Sequence, residues 1–503
     1  MHENIPFPEF QEVAAEAEAA LRELDLADLA TAGILQPVEN YYLIGTYPPL
    51  KAMEEMRGED FLSGVGRNCS VYLHIPFCEQ RCTFCHFAKE ILPQQTRVER
   101  YLQALVKEME IARGHIGRPT ARTVYFGGGT PSYLSADQIR RVFGSLRETI
   151  DIAPDAEITY ELHPSVIDAP DYEERLDALA AAGVNRWVFG VQSMDDRILA
   201  KLNRGHTAAD VQRLLKMLDD RDATNVSVDL IFGLPYQTME NWYSSIRSLV
   251  ECGVEKFNIF PLMFKQADPI SAHYRKNPEI FPDARGRLLM HFATEAIMKR
   301  LGFRRGPLFY YARADTHSQQ QEDKYDSIED INLLPFGVSG FGYVDQVQYY
   351  NDCSLDGYMA SVESGKLPVW RGSRLPEEER MRRTLMFSLR SGGVDRDAYA
   401  ARFGADPLER FRADLAPFLD RGLLELDGRV IRATDRGAPF VDSIALHLVS
   451  DDVRGRIRES NSRIVDVKRD PLDRYDYSPI ERDPVAATVP ARRAGRTALP
   501  VVL

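Results

Sequence analysis

Three cysteines lie close together in the chain, at a spacing that could hold an iron–sulfur cluster. Cys78, Cys82 and Cys85 follow a short apolar run at C-x3-C-x2-C spacing. Thiolates on one loop can bind three corners of a cuboidal cluster, which ordinarily takes four cysteine ligands. The iron without a cysteine would then be open to a substrate or cofactor, as the open position of a catalytic zinc ion is.

Two other uses of these cysteines are compatible with the spacing. His86 or His74 could join the three thiolates around a zinc ion. The cysteines could also be buried thiols, which pack as small apolar side chains. The spacing alone does not distinguish these alternatives, so the residues around the motif must be considered.

The composition is that of a globular protein with room for two or three domains. The chain has 503 residues, of which 44% are hydrophobic and 27% charged. Its net charge of -13 argues against a nucleic-acid-binding protein, because phosphate binding requires clustered Lys and Arg. Its six cysteines are too sparse for a disulfide framework and suit a reducing compartment. The sequence shows neither a leader pattern nor a membrane-spanning apolar run, so we expect a cytoplasmic protein. We also expect it to be a monomer.

Short apolar strands alternate with helical patterns through the middle of the chain. The strands are predicted at residues 71–75, 123–126, 158–162, 187–191, 226–232 and 257–260, with helices between them at 97–116, 171–182, 208–218 and 239–252. Repeated βα units predict an α/β fold with a parallel sheet, either open or closed into a partial barrel. In both architectures the chemistry belongs at the carboxyl ends of the strands.

Glycine-rich or polar residues follow several of these strands. The second strand runs into Gly127-Gly128-Gly129-Thr130, the third ends at Glu161, the fourth at Gln192, and the fifth contains Asp229. Each feature alone could be a turn or a structural hydrogen bond. Because parallel strands end at one edge of a sheet, together they predict a ligand site beside the cysteine loop.

The flanking segments divide the chain further. Residues 11–33 have helical spacing, and the aromatic segment 40–50 is kept extended by two prolines, so that it either packs or covers the site. Near the C-terminus, two helices and a hairpin with an Asp427-Gly428 turn predict a winged-helix-like unit. We therefore predict an N-terminal segment (1–67), a barrel (68–308), a C-terminal substrate or lid domain (309–450) and a partly disordered tail (451–503).

Five motifs in this order resemble the HemN-like branch of the radical S-adenosylmethionine (SAM) superfamily. They are Tyr72-Leu-His-Ile-Pro-Phe-Cys78, Gly127-Gly-Gly-Thr-Pro-Ser132, Gly190-Val-Gln192, Leu202-Asn-Arg-Gly205 and Asp229-Leu-Ile-Phe-Gly-Leu-Pro235. The resemblance covers roughly residues 40–450. It implies a partial (β/α)6 barrel with a HemN-type C-terminal domain, and an electron donor of the flavodoxin or ferredoxin type.

The resemblance also implies roles for individual residues. Cys78, Cys82 and Cys85 would hold a [4Fe–4S] cluster, and Tyr72, Gly128 and Glu161 would contact the SAM bound to it. A second SAM would be lined by Phe84, Gly129, Thr130, Gln192, Arg204 and Asp229, with Met263 and Phe341 as further contacts. Without the resemblance, Arg204 could equally form a surface ion pair. His163, His206 and His317 are candidates for proton transfer, but a lone histidine is more often structural and none is assigned a catalytic role.

Members of the branch catalyse several reactions. This sequence departs at two places from the usual sequence of the members that catalyse one of them. Phe87 stands where coproporphyrinogen III dehydrogenases usually carry a further cysteine, and residues 43–49 differ from their usual N-terminal segment. These departures argue against porphyrinogen decarboxylation. A retained second SAM site without the further cysteine favours a class C methyltransferase or cyclopropanase of specialised metabolism, which would transfer a carbon from the second SAM to an aromatic or conjugated substrate. The alternatives are oxygen-independent coproporphyrinogen III dehydrogenase and a haem chaperone.

Overall fold

The computed structural model describes residues 6–56, 60–223, 225–265, 268–307, 309–313, 330–463 and 472. In chain order its strands are β1 (Glu54–Glu55), β2 (Asn68–Ile75), β3 (Phe77–Cys78), β4 (Glu90–Ile91), β5 (Thr120–Gly128), β6 (Asp151–Leu162), β7 (Arg186–Gln192), β8 (Val226–Phe232), β9 (Lys256–Pro261), β10 (Phe303–Arg305), β11 (Tyr310–Arg313), β12 (Asn332–Phe336), β13 (Phe341–Val344), β14 (Val347–Asn351), β15 (Val369–Arg374), β16 (Val394–Asp395), β17 (Leu424–Asp427) and β18 (Val430–Ala433).

The α-helices are α1 (Phe10–Arg22), α2 (Leu26–Thr31), α3 (Gln95–Ile116), α4 (Ala136–Thr149), α5 (Tyr172–Ala181), α6 (Asp196–Lys201), α7 (Ala208–Asp219), α8 (Met239–Glu251), α9 (Pro269–Lys276), α10 (Ala284–Arg300), α11 (Leu355–Glu363), α12 (Glu377–Arg390), α13 (Arg396–Phe403), α14 (Pro407–Arg410), α15 (Arg412–Leu419), α16 (Val441–His447) and α17 (Asp451–Arg463). Short 3-10 turns span Val38–Asn40, Leu50–Ala52, Asp60–Gly64, Pro131–Tyr133, Pro164–Asp168, Pro278–Ile280 and Ala438–Phe440.

Six parallel strands form the centre of the main sheet, in the order β2-β5-β6-β7-β8-β9. They contain all six predicted strands, so the predicted α/β architecture is confirmed. Most residues of these strands are buried: in β7 every residue except Gly190 is. Burial of both faces explains why the strands read as nearly continuous apolar runs rather than alternating ones.

The sheet continues beyond the predicted strands on both sides. β12 pairs in parallel with β2, and β13, β14, β15 and β1 follow as antiparallel strands, while β11 and β10 extend the other edge. These added strands were not predicted from the sequence. Pro335 lies within β12 and Gly342 within β13, so the usual strand pattern is interrupted there.

The N-terminal segment forms two helices where the sequence predicted a single one. α1 buries Val13, Ala17 and Leu21 and packs on α10. The helix ends before Asp25, whose side chain accepts hydrogen bonds from the backbone N–H groups of Ala27 (3.1 Å) and Asp28 (3.0 Å). This cap starts a new helix and explains the break.

The C-terminal part contains the predicted winged-helix-like unit. Helices α13 to α15 lie in the chain between β16 and β17 of a three-stranded sheet, whose strand order is β16-β18-β17. Gly428 has a φ of 58° in the hairpin turn. The predicted tail begins with α17, whose Val453 and Ile457 are buried; the rest of it lies outside the described residues, apart from residue 472. The domain boundaries remain predictions. No described helix is both long and apolar enough to cross a membrane.

One buried glutamate ties the added strands to the parallel core. Glu108 of α3 accepts hydrogen bonds from the Tyr358 hydroxyl (2.6 Å), the Gly337 backbone N–H (2.7 Å) and the Asn351 amide (2.8 Å). Burial raises the pKa of Glu108 to about 7, against the lowering effect of these three donors. The folded protein therefore holds this proton more tightly than the unfolded chain does.

We predict that raising the pH from about 5.5 to 8 lowers the free energy of unfolding of the wild-type protein by about 2 kcal/mol more than that of the Glu108→Gln variant. The contribution of Glu108 is fully present below the ordinary pKa of a glutamate and is lost as the pH rises to about 7. The free energy of unfolding of both proteins, measured by chemical denaturation at the two pH values, checks this. Identical pH dependence in the two proteins would mean that burial does not raise the pKa of Glu108.

Candidate functional site

A cavity of about 900 Å³ opens at the carboxyl ends of the parallel strands. Every residue that the sequence analysis assigned to cluster or SAM binding lines it. These residues are Tyr72, Cys78, Cys82, Phe84, Cys85, Gly128, Gly129, Thr130, Glu161, Gln192, Arg204, Asp229, Met263 and Phe341. The structure thus brings the predicted residues together, while their individual roles remain predictions.

The three cysteines of the motif face this cavity from one loop. Cys78 accepts a hydrogen bond from the Thr130 hydroxyl (3.5 Å), and Cys82 accepts one from the Arg204 guanidinium (3.2 Å). Burial raises the pKa of the Cys78 thiol to about 11 and also raises that of Cys85. Binding a metal centre here must therefore release protons, as expected for thiol ligands.

The described structure gives no support to the zinc alternative. Within the described part of the chain, no three His, Cys, Asp or Glu side chains are placed to hold one metal ion. Ligands of one zinc ion converge on a single point, whereas the cysteines of a cuboidal cluster each bind a different iron and lie farther apart. His74 is engaged elsewhere, because its Nε2 lies 2.9 Å from the Ala88 carbonyl oxygen.

The cysteine loop is held by the segment Leu202–Gly205 of the predicted motif. The Thr83 backbone N–H donates to the Leu202 carbonyl (3.0 Å), and the Asn203 side-chain amide donates to the Arg81 carbonyl (2.9 Å). A Cβ at Gly205 would lie 1.4 Å from the amide nitrogen of Gln80. The motif therefore places a residue without a side chain where the loop passes closest.

The glycine triplet of residues 127–129 at the end of β5 holds the loop from the other side. The Gly129 N–H donates to the Ile75 carbonyl (2.8 Å). A Cβ at Gly129 would lie 2.8 Å from that oxygen and 2.9 Å from the Phe77 nitrogen. Gly128 has a φ of 113°, and its Cα packs against the His74 ring. These glycines permit a backbone approach that larger residues would prevent.

Tyr72 presents an oriented hydroxyl to the cavity. Since the Ala88 carbonyl can only accept, His74 Nε2 carries the ring proton and Nδ1 accepts from the Tyr72 hydroxyl, 3.1 Å away. The Tyr72 oxygen then keeps its lone pairs for a donor in the cavity. Its ring stacks between Tyr125 (centroids 6.0 Å apart) and Phe341 (6.5 Å), both of which line the same wall.

Two carboxyl groups line the cavity from strands β6 and β8. Glu161 accepts a hydrogen bond from the Tyr125 hydroxyl (2.7 Å), and Asp229 accepts one from the Asn258 amide (2.7 Å). Burial raises the pKa of Glu161 to about 7 and that of Asp229 to about 6. A cationic ligand would favour the ionised form of both groups.

Arg204 and Gln192 also line the cavity, and Arg204 contacts the cysteine loop. Arg204 donates to the Gly190 carbonyl as well as to Cys82, and its Nε is buried without a partner. Among the described residues it forms no ion pair, so the surface ion pair considered for Arg204 is wrong. Gln192 is 8% exposed and has a φ of 69°, a conformation rare for residues other than glycine.

The N-terminal aromatic segment both packs and covers the site. Ile44 and Tyr47 are fully buried, whereas Tyr42, Leu43 and Thr46 line the cavity. The C-terminal domain fixes the segment: the Tyr47 hydroxyl donates to Glu379 (2.5 Å), and Arg390 donates to the Ile44 carbonyl (2.5 Å). The segment therefore combines the two roles considered for it, packing within the fold and covering the cavity.

Several residues that support the site were not predicted from the sequence. Tyr125 is the register partner of Tyr72, and Asn258 is that of Asp229, so strand pairing would have found both. Arg175 lines the cavity from α5. It belongs to none of the sequence motifs, so nothing in the sequence indicated a role for it. Of the three histidines considered, His163 lines the cavity and His206 is buried beside it, with ring centroids 5.1 Å apart. His317 lies outside the described residues.

Comparisons with known proteins bear on both parts of the chain. Residues 72–249 match the radical SAM superfamily, and residues 375–440 match the HemN C-terminal domain. The chain is 28% identical to an oxygen-independent coproporphyrinogen III oxidase of Salmonella typhimurium, over 80% of this chain and 91% of that protein. It is 26% identical to the heme chaperone HemW of Bacillus subtilis, over 73% and 96% of the two chains.

The solved structure of coproporphyrinogen III oxidase (HemN) from Escherichia coli has the same fold. It superposes with a TM-score of 0.71 at 28% identity, covering 81% of this chain and 96% of that one. The similarity therefore includes the barrel and the C-terminal domain together.

We predict that Gly129→Ala destabilises the protein by about 1–3 kcal/mol and lowers the iron it holds after anaerobic reconstitution. The added methyl group would force the end of β5 away from the backbone that leads into the cysteine loop. Thermal unfolding and iron content measure the two effects. Gly144→Ala, at an exposed position of α4 where an added Cβ meets nothing within 4 Å, is the matched control and should preserve both. Normal iron content in Gly129→Ala would show that the loop does not depend on this contact.

Proposed function

Because the chain belongs to the HemN-like branch of the radical SAM superfamily, we propose that it catalyses the oxygen-independent oxidative decarboxylation of a coproporphyrinogen-type tetrapyrrole. The observation that carries this proposal is the cavity itself. It places three thiols and two buried carboxyl groups around a space of about 900 Å³. That volume lies in the upper part of the range for small-molecule sites, so cofactor and a large substrate can share it.

The methyltransferase or cyclopropanase prediction of the sequence analysis is contradicted. The comparisons return several oxygen-independent coproporphyrinogen III oxidases, at 25–28% identity over most of their length, as well as the structure of one. The prediction depended on a retained second SAM site and on two local departures, at Phe87 and in residues 43–49. Leu43, Thr46 and Phe87 line the cavity, but they are only a few positions, whereas the similarity to an oxidase covers 80% of this chain.

Membership of the superfamily implies a [4Fe–4S] cluster and SAM. The residues present fit both: three thiols line the cavity, and its described lining contains no fourth cysteine. When bound, these groups supply a 5′-deoxyadenosyl radical that can remove hydrogen from a substrate. The side chains must then orient the ligands and exclude water, and the covering segment around Tyr42 and Thr46 is placed to do the latter.

We also propose two separate SAM positions in the cavity. Tyr72, Gly128 and Glu161 would hold the first, since an ionised Glu161 and the Tyr72 oxygen can both accept from an ammonium group. Asp229 and Arg204 would hold the second, because together they offer an acceptor for an ammonium and donors for a carboxylate. Support comes from their placement: Glu161 lies on β6 and Asp229 on β8, with β7 between them.

An electron donor of the flavodoxin or ferredoxin type is part of this proposal. Cluster chemistry of this kind requires an external low-potential reductant. Phe87 and Leu92, which flank the end of the cysteine loop, are 55% and 69% exposed. Exposed apolar side chains beside a candidate redox centre offer a contact surface for such a partner.

We predict that anaerobically reconstituted protein, given reductant, SAM and coproporphyrinogen III, releases carbon dioxide together with 5′-deoxyadenosine. Cys82→Ala should abolish both products, because its thiol is a proposed cluster ligand. Cys252→Ala, which removes an exposed cysteine far along the chain from the motif, is the control and should retain activity. Formation of S-adenosylhomocysteine with a methylated tetrapyrrole, or stoichiometric haem binding without turnover, would contradict the proposal.

We predict that Asp229→Asn lowers the number of SAM molecules bound per protein from two to one, whereas Glu161→Gln weakens the tighter of the two. Each change removes the negative charge that faces one ligand while keeping a similar shape. Equilibrium dialysis with labelled SAM under anaerobic conditions counts the molecules bound. Equal losses at both positions in both variants would show that the two carboxyl groups serve a single ligand.

A further inference from the structure

Several polar residues at the cavity end of β6 have no role in the proposed binding of the iron–sulfur cluster or of SAM. His163 follows β6 directly, Ser165 lies in the following 3-10 turn, and Arg175 lies in α5; all three line the cavity. Ser132, which also lines the cavity and is 5% exposed, links them. Its hydroxyl accepts from the His163 backbone N–H (3.1 Å), and its carbonyl accepts from Arg175 (2.9 Å).

The hydrogen bonds of His163 fix which ring nitrogen carries the proton. The backbone N–H of Ser165 points at Nδ1 from 3.2 Å, and the Ser165 hydroxyl lies 2.7 Å from the same atom. A backbone N–H can only donate, so Nδ1 accepts and the proton is on Nε2. Burial and the nearby Arg204 keep the pKa of His163 well below its usual value, so the ring stays neutral. Among the described residues, nothing accepts from its Nε2–H.

Arg175 also has N–H groups that are available for a further hydrogen bond. It bonds to the Ser132 carbonyl through Nη1 and to Asp171 through Nη2 (2.8 Å), and its side chain is 18% exposed. A guanidinium carries five N–H donors in a planar fork. Its buried Nε makes no hydrogen bond. The remaining N–H groups at the cavity side can therefore bind an acceptor without breaking the existing contacts.

The charges around this group favour an anion. Arg204 acts on His163 from the other side and is itself not ion-paired within the described structure. Besides Glu161 and Asp229, which are assigned to the SAM positions, two acidic residues line the cavity. Asp168 is paired with Arg213 at 2.9 Å, and Glu79 is exposed. The cationic side chains that face the cavity are thus only partly neutralised.

Resting on the function proposed above, we propose that Arg175 and the Nε2–H of His163 bind a carboxylate of the substrate. The pair would orient a polycarboxylate tetrapyrrole so that a different side chain of the ring system faces the cluster. A planar fork and a neutral N–H donor suit the two oxygens of a carboxylate, and charge-assisted bonds of this kind are the stronger ones. Arg175 and His163 are then specificity-determining residues.

The test compares ligands with and without free carboxylates. Wild-type, Arg175→Gln and Arg175→Lys holoenzymes are titrated anaerobically with coproporphyrin III and with its tetramethyl ester, and labelled SAM is measured by equilibrium dialysis. Arg175→Gln should weaken coproporphyrin III binding about 10- to 100-fold and leave the ester and SAM unchanged. Arg175→Lys should recover part of the loss, because it keeps the charge but not the fork.

Arg140→Gln is the matched control. Like Arg175 it pairs with a nearby carboxylate, Asp137 at 2.7 Å, but it does not line the cavity, so binding should be unchanged. Weaker binding of SAM with unchanged coproporphyrin III would overturn the proposal and assign the pair to the cofactor's carboxylate. Equal losses for the acid and its ester, or no loss for either, would also overturn it. If wild-type protein binds no coproporphyrin III at all, the proposed function fails together with this subsite.

Discussion

The position of the cysteine loop depends on backbone hydrogen bonds from the end of β5 on one side and from the end of α6 on the other. On one side, Gly129 and Thr130 donate to the carbonyls of Ile75 and Phe77 at 2.8 Å. On the other, Leu202 accepts from Thr83. Loop backbone is ordinarily mobile and exposed. Here these bonds fix three thiols relative to a rigid sheet, and the glycines beside them allow the close approach.

The remaining site residues are placed by the same sheet. Tyr72, Glu161 and Asp229 come from three parallel strands whose ends meet at one edge, so their relative positions follow from strand register. The arrangement opposes stability. Glu161 and Asp229 are both held where burial disfavours their charge, and Gln192 adopts a rare backbone conformation. Such costs are typical of sites prepared for a ligand.

Much of the fold could be predicted from the sequence because its strands are buried on both faces and read as apolar runs. The candidate site could be predicted because its residues stand in short motifs at strand ends. Other features were not visible. The break after α1 depends on a cap at Asp25, and the strands around Gly342 are interrupted by glycine and proline. Glu108 and Arg175 acquire their partners only in three dimensions. The reaction was wrongly predicted because weight was given to single positions such as Phe87, whereas the similarity to an oxidase extends over 80% of the chain.

The proposed function requires that the three cysteines hold a [4Fe–4S] cluster whose fourth iron is open to SAM. Mössbauer spectroscopy can test this on protein that is reconstituted anaerobically with isotopically enriched iron and recorded with and without SAM. We expect a four-iron cluster in which the signal of one iron changes when SAM is added. Bound zinc in place of iron, or a cluster whose irons are all unaffected by SAM, would contradict it.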